Sequence, residues 1–122
     1  MSIQKQIVDV LRKDGSKVYF PEQHEGECLN NYLVVKSEGA IPLLGTSSER
    51  PIYTIMCYVP KNRYSDLESL VFKTKQKMKE LYPMLMYAGN ESPSIYDEDL
   101  KAHMVSFQYQ GCRRIKYSNN VM

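Results

Sequence analysis

The stretch Ile52-Tyr53-Thr54-Ile55-Met56-Cys57-Tyr58-Val59-Pro60, followed by Lys61-Asn62-Arg63-Tyr64 and then by residues 65–81, decides the fold. Its first part is β-branched, aromatic or apolar throughout, which suits a pleated, buried strand. Pro60 ends that strand because proline cannot donate to the ladder. Ser65-Asp66-Leu67-Glu68 has the spacing of a capping box, in which Ser65 accepts from the Glu68 backbone N–H while the Glu68 carboxylate reaches back to the Ser65 N–H. Leu67, Leu70, Val71, Thr74, Met78 and Leu81 then recur on one helical face, and Pro83 bars continuation. The nucleus is strand, capped turn, helix.

Working outward toward the N-terminus, Ser2 is placed to cap a helix over residues 3–13, with Ile3, Ile7, Val8, Val10 and Leu11 on one face and Gly15 as its stop. Residues 17–20 predict a short strand ended by Pro21. Residues 22–31 form a polar loop with His24, Glu25, Glu27 and Cys28, and residues 32–36 predict a second, more buried strand. Residues 37–51 are too many for a tight hairpin, and they set Ile41, Leu43 and Leu44 between Gly39 and Gly45. Such a segment either folds back over its own sheet or is an arm that docks on another subunit.

Beyond the main helix, residues 84–88 predict a strand and residues 89–94 a loop. Asp97, Glu98 and Asp99 step into a last long strand over residues 100–109, Gly111 marks a bulge or bend, and residues 112–117 extend the edge. The tail over residues 118–122 is expected to fray. Two helices with one apolar stripe each are buried most simply on one face of a sheet. The expected fold is therefore one α+β domain over residues 1–122, a two-layer sandwich with an antiparallel or mixed sheet and both helices on one face.

With 122 residues, 43% hydrophobic and 25% charged, the chain has room for a core without staples. A net charge of +2 is too small to argue alone for a nucleic-acid surface. Neither a signal peptide nor a membrane-length apolar run is visible, which points to a cytoplasm and, for Cys28, Cys57 and Cys112, to free thiols. Ten tyrosines against three phenylalanines and no tryptophan suit subunit or partner surfaces, since tyrosine joins large contact area to a polar tip.

The residue chemistry argues against an enzyme and calls for no cofactor. His24 and Cys28 stand four apart, but no C-x-x-C pair supports zinc. Cys28 as a nucleophile would need a base, with only His24 or His103 to offer. Cys57, in mid-strand, reads as a buried inert thiol. The run Asp97-Glu98-Asp99 lacks the alternate spacing of a calcium loop. Arg113, Arg114 and Lys116, with Lys101, form a small basic patch suited to phosphate contact, without stacking aromatics or a glycine-rich loop beside it. Phe72 falls opposite the core stripe of its helix, as a chance exposure or an interface contact.

The order of elements, with residues 3–11 as an opening helix, Val18-Tyr19-Phe20-Pro21-Glu22, Tyr32-Leu33-Val34-Val35, residues 52–59 turning through Tyr64-Ser65-Asp66-Leu67 into a helix, and Tyr96-Asp97-Glu98 leading into residues 101–109, resembles the tail terminator proteins (tail completion, tail-to-head joining) of long-tailed bacteriophages and prophages. The resemblance spans nearly the whole chain. It implies a structural protein, working as a homo-oligomer in a hexameric ring that caps the tail tube, ends tube polymerisation and meets the head connector. The partners implied are the tail tube protein and the connector, with DNA only passing through and no membrane. The place implied is the virion tail or neck, after synthesis in the host cytoplasm. A closed ring needs a heterologous interface. The candidates for it are Ile41, Leu43, Leu44 and Phe72, together with the sheet face bearing Ile52, Met56 and Tyr58. Other neck or minor capsid components, a small nucleic-acid-binding module and a cysteine-dependent enzyme are the competing readings.

Overall fold

A computed structural model describes residues 2–21, 23, 26–45 and 47–114, with the backbone path alone at Arg113 and Arg114. Helix α1 (Ile3–Arg12) is followed by strands β1 (Val18–Tyr19), β2 (Tyr32–Pro42) and β3 (Ser48–Pro60), helix α2 (Asp66–Met78), and strands β4 (Leu85–Gly89), β5 (Ile95–Asp97), β6 (Ala102–Gly111) and β7 (Arg113–Arg114). All seven strands share one sheet in the order β1-β2-β3-β6-β4, with β5 also on β6 and β7 on β3. β1 runs parallel to β2 and every other pairing is antiparallel, so the sheet is mixed.

β3 lies at the centre because it can be buried along both edges. Ile55, Cys57 and Val59 are fully buried on the helix side, and Tyr53 nearly so. The same face takes Leu33 and Val35 from β2, and Val105, Phe107 and Tyr109 from β6. Against them pack Ile7, Val8 and Leu11 of α1 and Leu67 and Met78 of α2. Both helices thus contribute to one core on one face, an α+β sandwich of two layers. Truncating Phe107, the largest fully buried side chain, to alanine would cost about 3–5 kcal/mol.

The helices form for the reasons their spacing suggests, with one exception. Ser2 Oγ accepts from the Lys5 N–H at 3.1 Å and caps α1. On α2, Thr74 sits in the apolar stripe because its hydroxyl donates to the Leu70 carbonyl at 2.7 Å. Leu70, Val71 and Leu81 are partly buried against the core. The exception is the capping box. Ser65 has helical φ and ψ of −62° and −18° and makes no side-chain cap bond. A short 3-10 turn over Lys61–Arg63 runs straight into α2, the Leu67 N–H bonds the Tyr64 carbonyl at 3.0 Å, and Ser65 is therefore already inside helical backbone, where a cap cannot form.

Two other expectations are corrected. Residues 37–51 are not a loose connection, since β2 runs on to Pro42 and β3 starts already at Ser48, shifted in register between Ser37 and Ala40 where Gly39 takes φ +88°. The hydrophobic pattern concealed this because neither face of that hairpin is buried. The last long strand runs over Ala102–Gly111 and not 100–109, because residues 98–101 turn after a short strand over Ile95–Asp97 that pairs with it. Gly111 belongs to β6 for lack of space: a Cβ there would stand 3.0 Å from the Met84 carbonyl oxygen and 3.1 Å from Leu85 Cδ2. Residues 22, 24, 25 and 115–122, with His24, Lys116 and the expected fraying tail among them, lie outside the described residues.

The helices are tied to each other by Lys77. Its ammonium pairs with Asp14 Oδ2 at 2.7 Å and donates to Ser16 Oγ at 2.9 Å and to the Leu11 carbonyl at 3.3 Å. The hydrogen bond from Lys77, seconded by Ser16, lowers the Asp14 carboxyl from 3.8 to about 2. A carboxylate depressed on folding contributes stability above its ordinary value, and that contribution disappears as pH falls from 3.8 toward about 2. Lys77→Met should remove this acid-side component and cost about 1 kcal/mol at neutral pH. Urea titrations of both proteins between pH 2 and 5 check this; equal acid slopes would show that the pair contributes nothing.

Candidate assembly surfaces

The first surface is the arm that β2 and β3 make past the body of the sheet. Pairing continues through Ala40↔Pro51, Ile41↔Arg50 and Pro42↔Glu49, and β7 adds Ser48↔Arg114 and Glu49↔Arg113. The Leu43 N–H bonds the Ser48 carbonyl at 3.0 Å and closes the tip, where Gly45 takes φ +77°. From Lys36 to Arg50 no described residue is buried. Ile41 is 53% and Leu44 97% exposed, while Leu43 is half-buried. Arms of two or three strands without a core are marginal on their own.

The second surface is a groove of about 690 Å³ between the C-terminal half of α2 and β4, lined by Phe72, Lys75, Lys79, Tyr82, Met86 and Tyr87 among others. Phe72 is 63% and Tyr82 66% exposed, with Met86 and Tyr87 also open to solvent. The groove wall is stiffened by Lys75, whose ammonium lies 4.8 Å from the Tyr87 ring centroid and 5.2 Å from that of Phe107 and pairs with Glu91. That bond to Lys75 holds the Glu91 carboxyl below its ordinary value. Phe72 was legible from helical spacing. Tyr82, Met86 and Tyr87 were missed, although Tyr82 to Tyr87 is apolar apart from Pro83 and gives a single edge strand more oily surface than one face can bury.

The sheet face away from the helices is not the open surface expected of it. Met56 and Tyr58 pack with Tyr19, Tyr32, Val34, Cys28, Leu100 and Ala102 of their own chain. The Tyr32 and Tyr58 rings stack at 4.8 Å, and Tyr19 meets Tyr32 edge-on at 5.5 Å. Burial raises both the Tyr32 and the Tyr58 phenol. Met56 and Tyr58 stay half-buried, and with Phe20, Pro21, Tyr32, Val34 and Leu100 they line a small open cavity of about 220 Å³ at this end of the face. Ile52, half-buried, lies toward the other end, where the surface is polar. There Asn90 Nδ2 donates to Gln108 Oε1 at 2.7 Å, Gln108 Nε2 to Thr54 Oγ1 at 3.2 Å, and Thr54 Oγ1 to Glu38 Oε1 at 3.0 Å. Hydrogen bonds satisfied in series make that half wettable without a partner.

Of the expected basic patch, the structure separates Lys101 from Arg113 and Arg114. Arg113 and Arg114 sit on β7 beside Glu49 and Ser48, Lys101 follows the turn into the opposite end of β6, and Lys116 lies outside the described residues. No group of three or more potential metal ligands occurs among the described residues. Comparison with protein-family models finds no match, and comparison with curated proteins finds none either.

The thiols separate by burial. Cys57 is fully buried, points its Sγ to Thr74 Oγ1 at 3.9 Å, and is pushed up to about 12 by desolvation. Cys28 is buried beside the Asn30 carbonyl, 3.2 Å away, and desolvation raises it too, the opposite of what an activated nucleophile needs. Cys112 is exposed, and all three are free. A thiol reagent at pH 8 should therefore titrate one cysteine in the native protein and three in denaturant. Fast native labelling of Cys28 would contradict its burial and revive a thiol chemistry.

Proposed function

We propose that this chain is a structural subunit of the phage or prophage tail-terminator kind, which assembles with copies of itself into a ring that closes the tail tube and meets the head connector. The observation that carries the reading is the arm: a β-hairpin in which no described residue from 36 to 50 is buried, with Leu44 97% exposed at its tip, is a poor use of chain for a protein that works alone. The apolar groove supplies an unlike surface, and a ring requires two different patches. An opening helix, a central strand, a turn and a second helix follow one another in the order from which the resemblance was drawn. The ring count of six, the tube and connector as partners, and a place in the virion neck come from that resemblance alone.

Light scattering on the free protein, and electron microscopy after mixing with tail tubes, test the reading together. The wild-type chain is expected to self-associate, free or on the tube, and to cap tube ends. Ile41→Asp with Leu44→Asp should abolish both, with stability within about 0.5 kcal/mol of wild type because neither side chain is packed. A wild-type monomer that neither binds nor caps tubes would overturn the proposal.

A further inference from the structure

At the other end of β3 the structure carries a different kind of surface. Residues 27–29, residues 60–63 and Lys101 line an open cleft of about 530 Å³ whose charged lining, among the described residues, is Lys61, Arg63, Lys101 and Glu27. Among the described residues, three cations against one carboxylate leave a local charge of +2, as large as the net charge of the whole chain. Glu27 and Lys101 stand 3.6 Å apart at the surface. Lys61 and Arg63 have no carboxylate within ion-pair distance among the described residues. Among the described residues Asp97, Glu98 and Asp99 do not line the cleft, and Asp97 is occupied by the backbone N–H groups of Asp99 and Leu100, at 2.9 and 3.1 Å.

The cavity is held in shape by backbone. The Lys61 N–H donates to the Lys101 carbonyl at 3.1 Å and the Cys28 N–H to the Leu100 carbonyl at 2.7 Å, so all three segments are pinned at residues 100–101. Lys101 itself takes φ +51°, a conformation that costs free energy in a residue with a Cβ and persists where surrounding bonds hold it. Arg63 is close enough to the Cys28 thiol for its charge to oppose part of the upward push of burial. Pro60 and Leu29 add apolar wall beside the cations.

We propose that this cavity binds a phosphate monoester. A dianion matches the local charge, a guanidinium grips two phosphate oxygens at once, and the volume falls in the range of about 300–1,000 Å³ typical of small-molecule sites. A concave site suits a terminal phosphate better than the evenly spaced phosphodiesters of a duplex, which call for an extended basic stripe. This site does not depend on the assembly reading, and either stands without the other.

Calorimetric titration at low salt with inorganic phosphate, adenosine monophosphate and a blunt DNA duplex lacking terminal phosphates tests the proposal. Phosphate and the monoester should each saturate one site per chain. Arg63→Gln and Lys61→Gln should each weaken them tenfold or more, and Lys73→Gln, on α2 outside the cavity, should leave them unchanged. Tighter binding of the monoester than of phosphate would assign the apolar wall to its organic part, and equal binding would assign the site to the phosphoryl group alone; both support it. Absence of saturable binding, equal weakening by Lys73→Gln, or a duplex that binds as tightly as the monoester would overturn it. Matching melting temperatures of the variants exclude loss of fold as the cause.

Discussion

The double pairing of β3 is the constraint on which the remaining structure depends. Its Tyr32↔Tyr58 to Ser37↔Tyr53 side is held by β2 and its Ile52↔Gln110 to Pro60↔Ala102 side by β6, so every backbone group along residues 53–58 sits in a ladder. A strand paired on both edges cannot slip by one residue without turning Ile55, Cys57 and Val59 out of the core and Thr54 and Met56 into it. The helices then have one place to go. Both fall on the face that carries Phe107 and Leu33, and Lys77 locks one to the other through Asp14.

One covered face leaves a second to be dealt with, and the chain deals with its two halves differently. Near β1 three tyrosines and Val34 of the strands pack with Cys28 into a small second core, beside an open cavity lined by Met56 and Tyr58. Near β4 the face is lined by Thr54, Gln108, Asn90 and Glu38, bonded side chain to side chain. Tyrosine richness therefore has a largely internal use. Tyr19, Tyr32 and Tyr58 serve the second core and Tyr109 the main one, where burial raises the Tyr109 phenol to about 12; among the described residues, Tyr64, Tyr82 and Tyr87 are the ones left exposed.

What the sequence made legible follows the same division. The central strand, both helices and the stripe of α2 were readable because burial on one face leaves a period in the residues, and Phe72 stood out because it broke that period. The arm was not readable as two strands, since residues open on both faces keep no alternation, and only Ile41, Leu43 and Leu44 hinted at its use. The capping box misled because its four residues cannot report the turn that precedes them, and the 3-10 turn at Lys61–Arg63 had already committed Ser65 to helical backbone. The cation-lined cleft comes from segments distant in sequence, so no local pattern reported it, whereas the groove partners Tyr82, Met86 and Tyr87 left a signal in the apolar run over residues 82–87.

The two ends of the molecule are consequently unlike, and this bears on how copies would meet. At one end Leu85 pairs with Gly111 beside Pro51, which brings the foot of the apolar groove to the base of the arm. At the other, Pro60 pairs with Ala102, and the cations of Lys61, Arg63 and Lys101 gather. Were arm to meet arm about a two-fold axis, each contact would complete itself and assembly would stop at a dimer with both grooves empty. An arm laid into the groove of the next copy leaves that copy's own arm free, so the contact repeats and the rotation per step alone decides between a closed ring and an open helix. The proposed ring therefore asks for nothing beyond the unlike patches already at one end, and it leaves the cationic end outside the contact.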